Sequence, residues 1–288
     1  MKQLIAAILM FFIITSCNKA DSTIGFEDLL PRSNLAEKII IDTAYGKDPL
    51  QKMDIYLPAG RTSQTRLNVM IHGGAWVGGD KSELNNLVQM YRSRWPECAV
   101  VNVNYRLANG KDVTYNQILE DVGNAINLMA TNKILFAISD TMALWGINGG
   151  ALLALQYANS PDTKGIVKCV ADFYGPAKID DWDFYNARKP VNVKDILKKF
   201  SGSGWNEELY KSISPIENLN TSSKPTIIFH GNLDNIVPAY QSQLLKQKLD
   251  ELGVANEYHE YTDFHGFTET NNTESVEKTI QFFKKHLK

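Results

Sequence analysis

Four short stretches of this 288-residue chain hold residue types that together suit acyl transfer. In His72-Gly73-Gly74-Ala75-Trp76 the paired glycines expose backbone N–H groups and allow close approach to a ligand, which is what an oxyanion hole requires. Taken alone, the same residues also read as a plain glycine turn. Gly146-Ile147-Asn148-Gly149-Gly150 has the spacing of a nucleophile elbow, G-x-S-x-G, with Asn148 where serine is expected. Asp234, in Gly231-Asn232-Leu233-Asp234, is the candidate acid that would accept the Nδ1 proton of a histidine, a capping or turn aspartate being the other reading. His265, in Asp263-Phe264-His265-Gly266-Phe267, is the candidate base. Along the chain the order is elbow, acid, histidine.

Asn148 suits the turn but not the usual reaction. A sharp strand-to-helix turn needs positive φ at its central residue, which asparagine tolerates better than most, and glycines on both sides relieve the crowding. A neutral carboxamide has no proton that a histidine can remove near neutral pH, and it is a poor nucleophile toward an ester carbonyl. Ser203, in Ser201-Gly202-Ser203-Gly204, lacks the glycine two residues before it and reads as a loop residue. His72 and His230 end apolar runs and read as structural, while His259 and His286 read as surface positions.

Positioning these residues requires alternating strands and helices. Apolar runs predict strands at 38–42, 53–57, 67–72, 99–105, 142–146, 167–174, 226–230 and 257–261. Helical patterns fall at 82–94, 116–129, 149–158, 239–252 and 273–287, and an irregular stretch at 176–212 holds short helical pieces. Such alternation predicts an α/β fold, a mainly parallel sheet with helices on both faces and ligands at the carboxyl ends of the strands. The candidate residues all lie in loops that follow strands.

Composition is that of a globular protein: 44% hydrophobic and 22% charged residues, with 30 Lys plus Arg against 32 Asp plus Glu. A net charge of -2 leaves no basic excess to attract nucleic acid. Residues 1–16 read as a signal peptide, Lys2 being followed by an apolar run too short to span a bilayer. Ile14-Thr15-Ser16-Cys17 resembles a lipobox, which makes Cys17 the expected lipidation site, 17–37 a tether and 38–288 the single domain. The expectation is an exported lipoprotein, held on the periplasmic or cell-surface side of a bacterial membrane through its N-terminal lipid alone. A soluble secreted protein is the alternative. Cys98 and Cys169 open apolar runs and are expected to be buried free thiols, and no Cys/His cluster suggests a metal. The sequons at Asn220 and Asn271 carry no meaning in a bacterial lipoprotein.

These residues resemble the α/β-hydrolase superfamily, and within it the small esterases of the hormone-sensitive-lipase and bacterial feruloyl-esterase-like type. The likeness runs from about residue 38 and includes Tyr45-Gly46, Asp54-Ile55-Tyr56-Leu57-Pro58, Tyr105-Arg106-Leu107 and Ser214-Pro215-Ile216 beside the loops above. The resemblance implies a carboxylic-ester hydrolase without cofactor, acting on a small-molecule ester or acylated carbohydrate, or on an amide as kynurenine formamidases do. It also implies Gly73 and Gly74 in the oxyanion loop, the N–H groups of Gly74 and Gly149 as donors, and a cap-like insertion shaping the substrate pocket. Trp182, Phe184, Tyr185 and Trp205 of that insertion could stack on a ring or pack the cap. Asn148 departs from the family pattern, and losing a triad nucleophile costs on the order of a millionfold in turnover. Three readings follow: an impaired esterase, a silent cell-surface binding protein for an acylated sugar or peptide, or a hydrolase with an aspartate nucleophile after deamidation of Asn148. The constraint of the elbow weighs against the cyclic intermediate that the last requires.

Overall fold

The structure, a computed structural model, describes residues 33–160, 165–187 and 190–287. One sheet runs through it, built from β1 (Lys38–Ala44), β2 (Lys52–Leu57), β3 (Leu67–Ile71), β4 (Ala99–Val103), β5 (Met142–Ile147), β6 (Val167–Phe173), β7 (Thr226–Gly231) and β8 (Asn256–Tyr261). Their spatial order is β1-β2-β4-β3-β5-β6-β7-β8. β2 runs antiparallel to both β1 and β4, and every pairing from β4 to β8 is parallel. All eight strands expected from the apolar runs are present.

The central strands read as unbroken apolar runs because both of their faces are covered. In β5, Met142 and Leu144 enter one apolar layer while Ala143, Trp145 and Ile147 enter the other. The first layer is closed by α2 (Tyr115–Thr131), α4 (Gly149–Asn159) and α8 (Tyr240–Glu251), the second by α1 (Asn85–Arg94) and α9 (Glu269–His286). Residues 149–158 of α4 are all buried, which is why that helix shows no polar face. A short α3 (Lys133–Phe136) follows α2, and the insertion between β6 and β7 carries α5 (Trp182–Asn186), α6 (Val193–Ser201) and α7 (Glu207–Ser212).

Two helix starts differ from the sequence expectation, and at each the chain is bonded by side chains from outside the helix. The helix expected at 82–94 begins as a 3-10 turn, Lys81–Leu84, before α1. There Asn104 Oδ1 accepts from the Lys81 N–H at 2.8 Å, Asn102 Nδ2 donates to the Lys81 carbonyl at 2.7 Å, and Lys81 Nζ pairs with Asp54 at 2.8 Å. α9 starts at Glu269 and not at 273, since Asp263 Oδ2 accepts from the Thr268 N–H at 2.7 Å and from Asn271 at 3.0 Å.

The expected signal peptide and Cys17 lie outside the described residues. Of the expected tether, 33–37 rest on the domain: Ser33 Oγ donates to the Arg61 carbonyl at 2.5 Å, and the Gly60 N–H donates to the Leu35 carbonyl at 2.8 Å. Cys98 and Cys169 are free and buried. No helix among the described residues is long and apolar enough to cross a membrane.

Candidate active site

The turn from β5 into α4 is set by what its glycines lack. A Cβ on Gly146 would lie 2.2 Å from the Gly150 carbonyl oxygen, and one on Gly150 would lie 2.3 Å from the Ile71 carbonyl oxygen. Both collisions are with backbone, so neither position accepts a side chain. Between them Asn148 takes φ 51° and ψ −120°. Its N–H donates to the Phe173 carbonyl at 2.9 Å and its carbonyl accepts from the Ala151 N–H at 3.0 Å, which pins the turn to β6 and to the first turn of α4. The positive φ is a strain that this close packing imposes.

Every polar atom of the Asn148 side chain has a partner. Oδ1 accepts from the Gly149 N–H at 2.6 Å and from the Ala75 N–H at 3.1 Å, and Nδ2 donates to His265 Nε2 at 2.7 Å. The two N–H donors identify the inner atom as oxygen, because an amide nitrogen there would face hydrogens on both sides. The carboxamide oxygen therefore sits between two backbone donors, one from the elbow and one from the glycine loop.

One of those donors differs from the sequence expectation. The N–H that meets Asn148 Oδ1 from the glycine loop belongs to Ala75, not to Gly74. Gly74, Ala75 and Trp76 take φ of 86°, 50° and 63° in succession, and this turn carries the donor position one residue beyond the glycines. Gly73 and Gly74 instead provide clearance. A Cβ on Gly73 would lie 3.0 Å from Asn148 Cβ, and one on Gly74 would lie 2.2 Å from the Gly78 carbonyl oxygen. Gly149, the other expected donor, gives its N–H to Asn148 Oδ1 at 2.6 Å.

The loop is held from three sides. The Tyr105 hydroxyl bonds to the His72 and Gly73 carbonyls at 3.0 and 2.9 Å, and its ring stacks on His72 at 4.2 Å. Burial pushes the His72 pKa down to about 4, so the ring stays neutral and donates from Nδ1 to the Gly73 carbonyl at 2.9 Å. Trp76 Nε1 donates to the Gly149 carbonyl at 2.9 Å while its ring stacks on Phe200 of α6 at 3.8 Å. The insertion thus packs directly on the glycine loop.

On the other side of the site, His265 Nδ1 donates to Asp234 Oδ2 at 2.6 Å, and Asp234 Oδ1 accepts from the Ile236 and Val237 N–H groups at 2.8 and 2.9 Å. His230 Nε2 lies 3.3 Å from Asp234 Oδ2 and donates to the Val237 carbonyl at 2.8 Å, while its Nδ1 meets the Ser242 hydroxyl at 2.6 Å. Burial alone would raise the Asp234 pKa. Hydrogen bonds from His230, His265 and the loop N–H groups outweigh it and hold the carboxyl well below the usual carboxylate range. Tyr174, at the end of β6 with φ 44°, sets its ring 4.9 Å from His265, edge to face.

Asn148, Asp234 and His265 are therefore joined in one hydrogen-bonded line, and Gly73, Gly74 and Gly149 border it. His72 and His230 are buried, but His230 also reaches Asp234, which its place at a strand end did not reveal. His259 and His286 are half-buried: His259 stacks on Phe229 at 5.2 Å and His286 lies against Phe282 at 4.4 Å. Ser203 lies in the turn after α6, where its carbonyl accepts from Ser201 Oγ at 2.9 Å. Phe184 and Tyr185 are buried, and Tyr185 packs with Trp182, Trp205 and Tyr210, leaving Trp182 exposed. Among the described residues no group of three or more His, Cys, Asp or Glu is placed to hold a metal ion.

The arrangement of a β5–α4 elbow, a glycine loop after β3 and an Asp–His pair after β7 and β8 has relatives. The model of the BD-FAE family matches residues 53–249. The chain belongs to the BD-FAE family. It is an α/β-hydrolase of the esterase type and carboxylic-ester hydrolase-like. Esterase LipC of Mycobacterium tuberculosis is 24% identical over 221 residues, covering 71% of this chain and 53% of that protein. A probable isoprenylcysteine alpha-carbonyl methylesterase of Arabidopsis thaliana, ICMEL1, is 23% identical over 235 residues, covering 73% of this chain and 47% of that protein. The chain thus spans about half the length of these curated relatives. Among solved structures, a truncated carbohydrate esterase from gut microbiota superposes with a TM-score of 0.69 at 20% identity, over 88% of this chain and 98% of that one. Esterase B of Lactobacillus rhamnosis superposes with a TM-score of 0.72 at 20% identity, over 86% of each chain. At that identity these superpositions establish the fold.

Proposed function

We propose that this BD-FAE family member carries a carboxylic-ester hydrolase site in which Asp234, His265 and the N–H groups of Ala75 and Gly149 are retained, while Asn148 fills the nucleophile position. The observation that carries this reading is the bonding of the Asn148 carboxamide. Oδ1 takes both oxyanion donors at 2.6 and 3.1 Å, and Nδ2 occupies the lone pair of His265 Nε2 at 2.7 Å. An ester carbonyl entering the site would have to displace Oδ1, and no hydroxyl stands ready to attack it. The chain as it stands is then an esterase scaffold whose ordinary turnover is suppressed.

The substrate class in this reading is a small ester or an acylated carbohydrate. The carbohydrate esterase among the structural relatives supports the second, as does the exposed Trp182 beside Tyr185 and Trp205, an aromatic face suited to a sugar ring. The proposal includes export and lipidation at Cys17, which loss of labelled fatty acid in a Cys17→Ala chain would test.

Hydrolysis of p-nitrophenyl acetate by the chain, by Asn148→Ser, and by Asn148→Ser with His265→Ala tests the site. Turnover by the single variant alone supports it. Activity of the unaltered chain that depends on His265 would overturn the suppressive role of Asn148. Inactivity of all three, with retained binding of an acylated sugar, would favour a surface binding protein.

A further inference from the structure

The chain contains two Asn-Gly pairs, Asn109-Gly110 and Asn148-Gly149. In such pairs the asparagine side chain cyclises readily, because the glycine nitrogen carries no bulky neighbour. Ring closure joins the glycine nitrogen to the asparagine Cγ in a nearly planar five-membered ring, so the torsion Cβ–Cα–C–N must approach zero. For an L-residue that torsion is ψ plus about 120°. At Asn148 ψ is −120°, and the two terms cancel. Helical or extended residues, with ψ of roughly −42° or +135°, must rotate far to reach this geometry. The elbow's constraint, expected from sequence to oppose the cyclic intermediate, holds its residue at the required torsion.

The surrounding groups are those the reaction needs. The Gly149 N–H opens a helix, donates to Oδ1 at 2.6 Å and lies against the group it would attack. Asn148 O accepts from the Ala151 N–H at 3.0 Å, which withdraws electron density from the same peptide and makes the Gly149 N–H more acidic. Ala75 N–H stands 3.1 Å from Oδ1, where negative charge would develop, and His265 Nε2 is 2.7 Å from Nδ2, the leaving nitrogen. We propose that this site acts on its own chain, closing Asn148 and Gly149 into a cyclic imide that water opens to aspartate or isoaspartate.

The Gly149 nitrogen bonds to Cγ and the Cγ–Nδ2 bond breaks. The Gly149 proton passes by way of His265 to Nδ2, which leaves as ammonia. One water then adds to either imide carbonyl and opens the ring. The product places a carboxylate opposite His265 Nε2. The substrate here is the chain itself, so the inference goes beyond the ester chemistry proposed above and does not depend on it.

Asn109 supplies an internal clock, since its Oδ1 accepts from the Lys111 and Val113 N–H groups at 2.9 and 3.1 Å. The full chain is aged at neutral pH, folded and in urea, and conversion at the two sites is followed by peptide mass spectrometry. Hydroxylamine cleavage between 148 and 149 reports the imide. In urea both sites convert alike. In the folded chain Asn148 is expected to convert about 100-fold faster than Asn109, and His265→Gln or Asp234→Asn to remove most of that advantage. An intact Asn148 after half of Asn109 has converted would overturn the proposal, and so would rates unchanged in both variants. Because the folded unaltered chain is compared with itself in urea, misfolding of a variant leaves the first outcome decisive. Ester turnover by Asn148→Ser is unaffected by either result, so the two readings fail separately.

Discussion

The two halves of the site hold their central residues in different ways. On the β7 and β8 side Asp234 and His265 are bonded to each other, with His230, Ile236 and Val237 around the carboxylate. On the β3 and β5 side the backbone keeps its shape, down to the contacts that exclude a side chain at Gly146 and Gly150, while the residue at the centre is Asn148. The contrast teaches that the elbow's shape is a packing requirement of the sheet and its helix, separate from the reaction. The elbow accepts a side chain at its centre provided that the side chain satisfies the donors it meets. Asn148 does so with both its oxygen and its nitrogen.

The largest effect should come from position 148. Asn148→Ser is expected to raise p-nitrophenyl acetate turnover by about 10⁵-fold, measured as initial rates, and a gain under tenfold would mean that the elbow half has lost more than a hydroxyl. In that variant, Asp234→Asn should lower kcat by about 10⁴-fold, because an amide can present an N–H to His265 Nδ1 and favour the wrong tautomer. A loss of only a few fold would show that the acid half is no longer matched to the elbow.

Shape and charge can be broken separately from activity. Gly150→Ala brings a methyl against the Ile71 and His72 carbonyls and should destabilise the fold by about 3 kcal/mol or more in urea unfolding. Asp172 on β6 gives the smallest effect and sharpens the contrast with Asp234. It is fully buried, its Oδ1 accepts from the Gly175 N–H at 2.8 Å, and burial pushes its pKa up to about 6. A pKa raised above the unfolded value favours folding most below about pH 4, and that contribution is lost as pH rises through 6. Asp172→Asn should therefore stabilise the fold by about 1 to 3 kcal/mol at pH 8 and by little near pH 4. Equal effects at both pH values would mean that the Asp172 carboxyl is not held neutral.

Much of the architecture was legible in the linear pattern. Alternating apolar runs located all eight strands, and the loop residues between them located Asn148, Asp234 and His265. Period and motif are short-range properties, and they mark where an element or a loop stands. They do not mark which distant group bonds to it. The start of α9 depends on Asp263, the 3-10 turn before α1 depends on Asn102 and Asn104, and the support of Asp234 by His230 depends on how the chain turns back between 231 and 237.

The same division runs through the site. An Asn-Gly pair flanked by glycines is enough to say that a carboxamide stands at a tight strand-to-helix turn, because only small residues clear that turn. That its oxygen accepts from two backbone N–H groups, that Ala75 and not Gly74 is one of them, and that ψ stands at −120° follow from β3 lying beside β5 and from three successive positive φ values at 74–76. The Ala75 contact joins residues more than seventy positions apart, and it is the packing of the sheet that sets its distance.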